Sequence, residues 1–145
     1  MTLFSIGFTQ TTAEHFFTRL KNAGVERVID VRLHNVSQLA GFAKKEDLRY
    51  FLQAIGGIAY EHWPELAPSA ELLERYRKRN HRGSWQAYAS GFRELMQERA
   101  IERLPQVEFE GACLLCSEHS AEQCHRRLVA EYLNEKWGGL AIQHL

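Results

Sequence analysis

The sequence has few cysteines, no excess charge of either sign and no long apolar run, and each lack excludes a class of protein. Only three of the 145 residues are cysteine, which excludes a scaffold held by several disulfides, and the odd number is more typical of a reducing cytosol. Eighteen basic residues balance eighteen acidic ones, so the overall positive field that draws in nucleic acid is absent. No stretch approaches the ~18 apolar residues of a membrane-spanning helix.

The first ten residues, MTLFSIGFTQ, lack the basic start and the apolar run of a secretory signal peptide. We therefore expect a cytoplasmic protein. Apolar residues make up 45% of the chain and charged residues 25%, which are ordinary values for a globular protein. The length suits one domain, so residues 1–145 are predicted to form a single domain with its own packed core.

Short apolar stretches alternate with amphipathic ones along the chain. The apolar stretches that are typical of buried strands are LFSIGF, RVIDVR, IAYEHWPEL, GACLLCSE and LAIQHL. The stretches between them carry helical spacing, with Thr12, Ser69 and Ser84 as predicted caps. This alternation predicts an α/β fold: a single three-layer domain with a mostly parallel sheet of four or five strands and helices on both faces.

Polar side chains follow four of the predicted strands. In open parallel sheets, ligands bind beyond the carboxyl ends of the strands. The residues at these ends are Gly7 and Thr9; Asp30, Arg32 and His34; Glu61, His62 and Trp63; and Cys116, Ser117, Glu118 and His119. Their convergence predicts a cleft along this edge of the sheet.

The segment CSEHSAEQCHRR holds the densest group of reactive side chains. Ser120 followed by Gln123 fits a capping box, which predicts a helix that begins at Ser120 and has Cys124 at the end of its first turn. The N–H groups and the positive dipole there would lower the pKa of a thiol and bind an anion. The helical spacing of Cys124 and His125 also fits two core residues, and the sequence leaves both interpretations open.

The CLLC stretch has the spacing of a metal or redox motif, but side chains alternate along a strand, so Cys113 and Cys116 would point to opposite faces. Two other arrangements stay open. Cys116, Cys124 and His125 could form part of a metal site with a fourth ligand from His34, His62 or His119, or the two cysteines could form a reversible disulfide. Because the spacing matches no common zinc pattern, no metal and no cofactor is predicted.

The segment RYRKRNHR interleaves basic residues with Tyr76, and Trp85 follows it closely. Basic and aromatic residues together suit phosphate contacts and base stacking. A solvated helix end explains the same composition. The segment therefore supports a non-catalytic nucleic-acid-binding module as an alternative function.

Several stretches form a specific combination, namely SIGFT, VIDVR, GFAKKEDLRYFLQAIGGIAYEHWPEL, CLLCSE, CHRRLVAEYL and a terminal HL. This combination resembles the bacterial and archaeal domain of unknown function family 488 over nearly the whole chain. The resemblance implies no established reaction. The matching positions are Gly7, Thr9, Asp30, Arg32, Phe42, Lys44, Tyr60, Cys116, Glu118, Cys124, His125, Arg126 and His144. Two departures are Asn35, where members often carry proline, and Leu66–Pro68, where they carry a glycine-containing loop.

The convergent side chains and the resemblance together predict an enzyme that binds an anionic substrate, a nucleotide or a nucleic-acid end. The predicted catalytic residues are Cys116, Glu118, Cys124 and His125. The predicted substrate-binding residues are Gly7, Thr9, Asp30, Arg32, Lys44, Ser120 and Arg126. No membrane partner is expected. The nucleic-acid-binding module and a thiol or metal sensor are the alternatives.

Overall fold

The computed structural model describes residues 1–35, 41–78, 85–118 and 120–145. Its strands are β1 (Thr2–Gly7), β2 (Arg27–Asp30), β3 (Ala59–His62), β4 (Ala112–Cys116) and β5 (Ala141–His144). Its α-helices are α1 (Ala13–Ala23), α2 (Lys45–Gly56), α3 (Ala70–Lys78), α4 (Trp85–Arg99) and α5 (His125–Trp137). The strands form one all-parallel sheet in the order β3-β2-β4-β1-β5. The predicted α/β fold is confirmed, with five strands.

Each face of the sheet carries its own apolar core. Phe16 of α1 and Leu48 of α2 pack on one face, and Phe92 of α4 and Leu133 of α5 pack on the other. Because both faces are covered, all five residues of β4 are buried, and the strand is apolar throughout rather than alternating with polar residues.

The CLLC stretch obeys the alternation predicted for a strand. Cys113 belongs to the core under α1 and α2, and Cys116 belongs to the core under α4 and α5. The two thiols therefore lie on opposite faces of the sheet and cannot share a ligand. Burial raises the pKa of Cys113 far above its usual value, so this thiol stays protonated and inert.

Two predicted helix caps are confirmed. Thr12 Oγ1 accepts a hydrogen bond from His15 N at 3.1 Å, and Ser69 Oγ accepts one from Leu72 N at 3.1 Å. Each satisfies a backbone donor that the first helical turn leaves without a partner. The predicted cap Ser84 lies outside the described residues.

Two predicted boundaries beside the site are wrong. The last helix begins at His125, with Cys124 as its N-cap, rather than at Ser120. Strand β4 ends at Cys116, so Glu118 is not on the strand face of that cysteine. The capping-box signal is overridden because the chain turns here: Ser120 Oγ accepts from Glu122 N within the turn, and the Glu118 carbonyl accepts from the buried Arg126.

The three central strands end side by side. Gly7 of β1 pairs with Cys116 of β4, and Asp30 of β2 pairs with Leu115 of β4. Loops from three different parts of the chain therefore meet at one place on the sheet edge, the position where parallel sheets bind ligands. None of the helices in the described ranges is long and apolar enough to cross a membrane.

Candidate active site

A pocket of about 860 Å³ opens at the carboxyl ends of the three central strands. Its floor comes from the chain that follows β1, β2 and β4 together with the start of α5, and its wall comes from α3 and α4. The lining residues with polar or aromatic side chains include Phe8, Thr9, Arg32, His34, Tyr76, Trp85, Tyr88, Cys116, Ser117, Glu118, Gln123, Cys124 and His125. The cleft predicted at this edge of the sheet is therefore present as a cavity.

The wall of the pocket is aromatic. Trp85 and Tyr88 of α4 are stacked with ring centroids 5.5 Å apart, and Tyr76 of α3 lies 4.7 Å from Tyr88. Tyr88 is buried, whereas Trp85 and Tyr76 are partly exposed. We call these three residues the aromatic wall. Flat apolar rings with partly exposed faces can stack against an aromatic ligand.

Arg32 on the floor is fixed by a buried carboxylate. Asp30 is fully buried and accepts hydrogen bonds from Arg32 N at 3.1 Å, from Nε at 2.9 Å and from Nη2 at 2.8 Å. Nη2 also donates a hydrogen bond to the carbonyl oxygen of Ala43 at 2.8 Å. The guanidinium carbon lies 5.0 Å from the centroid of the Phe8 ring. Among the described residues Nη1 has no hydrogen-bond partner, and it is the part of Arg32 available to a ligand.

Asp30 is therefore a positioning residue under the floor and does not line the pocket. Tyr60 donates a hydrogen bond to the same carboxylate at 2.5 Å, and Asn35 lies within 3.4 Å of the Tyr60 hydroxyl. Burial, followed by the charge of Asp30, raises the pKa of Tyr60 well above its usual value. The hydroxyl thus remains a donor, and the Arg32 side chain is held in one orientation.

Cys116 and Cys124 approach each other at the back of the pocket. Cys116 is the last residue of β4 and Cys124 is the N-cap of α5, and the structure joins their sulfur atoms as a disulfide. Their Cα atoms are 7.6 Å apart. Both residues are 2% exposed. Of the arrangements that the sequence left open for this pair, direct contact of the two sulfurs is the one present.

His125 presents one ring nitrogen to the same place. Its Nε2 lies 2.6 Å from the carbonyl oxygen of Val31, and because a carbonyl only accepts, this contact places the proton on Nε2 and the lone pair on Nδ1. The edge of the ring packs against Phe92. Burial lowers the pKa of His125 to about 4, against the opposing effect of the Val31 carbonyl. The imidazole is therefore neutral at physiological pH.

Arg126 lies beneath the floor rather than in the pocket. It is 1% exposed and donates to the Glu118 carbonyl at 2.7 Å, to Ser5 Oγ at 3.1 Å and to the sulfur of Cys116 at 3.4 Å. Ser5 Oγ also contacts Nδ1 of His144 at 2.5 Å. Burial lowers the pKa of Arg126 to about 10, so the side chain remains a cation next to the Cys116 sulfur.

Gly7 and Thr9 hold the loop after β4 against the end of β1. A Cβ atom at Gly7 would overlap the carbonyl oxygen of Glu118, so no larger residue fits without moving the backbone. Thr9 donates to the Ser117 carbonyl from its backbone N at 3.1 Å and from Oγ1 at 2.8 Å. Thr9 also lines the pocket, whereas Gly7 does not.

The structure separates two predicted binding residues from the pocket. Lys44 is exposed at the N-terminus of α2 and Ser120 is exposed in the turn before α5, and neither lines the cavity. Glu118 lines it with an exposed side chain. Burial and then the charge of Glu118 raise the pKa of Tyr76.

Of the three histidines proposed as a fourth metal ligand, His34 lines the pocket and His62 contacts the Arg32 carbonyl at 2.8 Å. His119 lies outside the described residues, as do residues 79–82 of the basic segment. The sequence did not single out Tyr88 or Ser5. Both residues have apolar neighbours in the sequence, which is typical of core positions. Tyr88 reaches the site through the packing of α4, and Ser5 contacts His144 through the pairing of β1 with β5.

Comparison with known families gives one match. The model of the family described as domain of unknown function DUF488 matches residues 12–133, a range that includes Asp30, Arg32, Cys116, Glu118 and Cys124 to Arg126. No curated protein and no solved structure matches the chain.

Proposed function

Since the chain belongs to the family of domain of unknown function DUF488, whose description assigns no reaction, we propose its function from the pocket: an enzyme that acts on a nucleotide or on the end of a nucleic-acid strand. The base would lie against the aromatic wall and the phosphate would lie at Arg32. The reacting centre would be the group formed by Cys116, Cys124 and His125, with Glu118 beside it.

The observation that carries this proposal is the presence of an aromatic wall and a fixed guanidinium in the same cavity. Stacking on an aromatic ring stabilises a bound base by about 1–3 kcal/mol whatever its identity. A guanidinium whose Nη1 remains available can donate two hydrogen bonds to phosphate oxygens. The volume of about 860 Å³ falls within the usual range of small-molecule pockets and leaves room for a mononucleotide.

Glu118 is the group best placed to transfer protons. It lines the pocket, it is solvent-exposed, and it follows Cys116 by two residues. Because its side chain is a carboxylate that lines the same pocket as the reacting centre, it can accept a proton from an attacking group or return one to a leaving group. Arg126 supports this role because it donates a hydrogen bond to the backbone carbonyl of Glu118 at 2.7 Å and so fixes the backbone there.

The binding part of the proposal is tested with nucleoside monophosphates and the matching nucleosides by calorimetry. We expect the monophosphates to bind at least about tenfold more tightly than the nucleosides, because one added charge-assisted hydrogen bond is worth about 1.5–3 kcal/mol. Trp85→Leu should weaken both classes by at least about fivefold, because it removes the stacking face. The matched control is Tyr50→Leu, which removes a 68% exposed aromatic side chain on α2.

The catalytic part is tested by chromatography of nucleotides and short oligonucleotides incubated with the protein. Glu118→Gln should lower turnover by about 10²–10⁴-fold while leaving nucleotide affinity equal or higher, because a negative charge leaves the pocket. Glu122→Gln, an exposed neighbour that does not line the cavity, should leave turnover unchanged.

The proposal fails if no monophosphate binds, or if Tyr50→Leu and Trp85→Leu weaken binding equally.

A further inference from the structure

We propose that reduced Cys116 and Cys124 bind, together with Nδ1 of His125, a thiophilic divalent metal ion such as Zn²⁺, and that the fourth coordination position faces the pocket. The ion would be a resident centre of the protein. Its binding requires only these three side chains and does not depend on a nucleotide.

The three side chains already lie together. One sulfur from each cysteine and one ring nitrogen of His125 lie within 4.8 Å of one another. In a tetrahedral zinc site, with Zn–S about 2.3 Å and Zn–N about 2.0–2.1 Å, neighbouring donors are roughly 3.3–3.8 Å apart. Once the disulfide is reduced, side-chain rotations that move the two sulfurs apart would place the three donors around one ion.

The backbone separation of the two cysteines suits a bridging ion. Their Cα atoms are 7.6 Å apart, whereas disulfides usually join Cα atoms about 4.4–6.8 Å apart. Two thiolates that share a zinc ion keep their sulfurs about 3.8 Å apart, which matches a wider backbone spacing. The end of β4 and the N-cap of α5 thus hold the two cysteines farther apart than most disulfides do, which is the direction that a shared ion requires.

His125 has the surroundings of a metal ligand. Its Nε2–H donates to the Val31 carbonyl at 2.6 Å, and a histidine that binds a metal through one nitrogen usually donates the other N–H to such a group. This hydrogen bond fixes the tautomer and the ring orientation. Nδ1 therefore carries no proton, and its lone pair can bind a metal ion without prior deprotonation of the ring.

The charges around the two cysteines favour thiolates. Arg126 is buried and donates to the sulfur of Cys116 at 3.4 Å, and a neighbouring cation stabilises the thiolate that binds a metal. Binding would release the two thiol protons to solvent and give a formally neutral group of two thiolates, one imidazole and one divalent ion.

The site has three protein donors among the described residues that form it. Structural zinc sites have four protein ligands, whereas catalytic ones have three and keep one position for water or substrate. Since Cys116, Cys124 and His125 all line the pocket, the remaining position faces the place where the proposed substrate binds. A bound ion there would polarise a substrate oxygen or lower the pKa of a water molecule beside Glu118.

The test uses full-length protein that is reduced with a phosphine, stripped with a chelator and titrated with Co²⁺ and then with Zn²⁺ in competition with a chromogenic chelator. We expect one equivalent of each metal, with thiolate-to-cobalt charge-transfer absorption that Zn²⁺ abolishes. The absorption reports cysteine ligation in the unmodified chain, so this readout does not depend on a variant that folds.

Two variants, each lacking one thiol, then distinguish metal binding at the proposed site from unspecific metal binding to any cysteine. Cys124→Ser should lower zinc affinity by at least about 100-fold, because it replaces a thiolate ligand by a neutral hydroxyl. Cys113→Ala removes the buried thiol on the other face of the sheet and should leave the stoichiometry and the absorption unchanged. Circular dichroism checks that both variants fold.

Absence of cobalt–thiolate absorption in the reduced protein would overturn the proposal, as would equal loss of zinc binding in Cys113→Ala and Cys124→Ser. Because no nucleotide is present in these titrations, their failure leaves the nucleotide proposal standing. Conversely, a protein that binds one zinc ion through the cysteines but no nucleotide would retain the metal site and remove the proposed function.

Discussion

At the scale of single residues, the site depends on a buried ion pair. Asp30 and Arg32 are 0% and 4% exposed, and water cannot solvate either charge well at this depth. The carboxylate therefore takes donors from Arg32 and from Tyr60, and the guanidinium keeps one amino group for the pocket. A buried ion pair of this kind adds little to the free energy of unfolding, but removal of one partner lowers that free energy strongly.

We therefore predict that Asp30→Asn destabilises the fold by about 3–5 kcal/mol, because Arg32 would remain buried without its counter-charge. Urea unfolding measures the free energy of unfolding. Glu135→Gln, which breaks the exposed pair of Glu135 with Arg93, is the matched control and should have a far smaller effect. Equal losses in the two variants would contradict this account of Asp30.

At the scale of elements, the site depends on the close approach of β1 to the turn that follows β4. Gly7 allows the Glu118 carbonyl to lie against the end of β1, and Arg126 of α5 takes that carbonyl as an acceptor. Strand, turn and helix are thereby locked together. The position of Glu118 at the pocket follows from the backbone of its neighbours and not from its own side chain.

We predict that Gly7→Ala destabilises the protein by at least about 1–3 kcal/mol, since its Cβ meets backbone atoms that cannot move independently, and that it also lowers nucleotide affinity. The control is Gly41→Ala, where none of the described residues other than its chain neighbours lies within 4 Å of an added Cβ and the backbone has ordinary φ. Thermal unfolding and calorimetry measure the two effects. A stable Gly7→Ala protein with full affinity would show that the approach is not required.

At the scale of the whole molecule, charge is balanced, so any attraction for anions is local. The chain has 18 basic and 18 acidic residues, and Arg32 is the cation that the floor offers among the described lining residues. A ligand held in this pocket would contact the protein through one or two phosphates. A module that binds nucleic-acid strands along the basic segment RYRKRNHR, which begins within α3, would contact many more phosphates.

We predict that log affinity for a short single-stranded oligothymidylate falls with log salt with a slope no steeper than about −1.4, the value for two phosphate contacts at about −0.7 each. Fluorescence titration at several salt concentrations gives the slope. A slope of about −3.5 or steeper, which corresponds to five or more contacts, would instead favour the non-catalytic nucleic-acid-binding module.

Patterns in the amino-acid sequence were enough to predict the family, the fold class and the edge of the sheet where the pocket lies. In the sequence, buried parallel strands appear as continuous apolar runs. Cap residues such as Thr12 and Ser69 accept hydrogen bonds from backbone N–H groups only a few residues away. Both signals are local and can be read directly. Once the fold is known, the polar residues after each strand must meet at one edge of the sheet, so Arg32, Cys116 and Glu118 could be predicted together.

The contacts of each side chain at that edge could not be predicted from the sequence and follow from how the whole chain packs. The helix prediction at Ser120 was wrong because the acceptor of the buried Arg126 is a carbonyl eight residues earlier, a contact that local sequence does not encode. The aromatic wall exists because α3 packs on α4, which brings Tyr76 to Tyr88. Cys116 and His125 face the same point because a strand end and a helix start pack together, and contacts between distant segments are set by the packing of the whole fold.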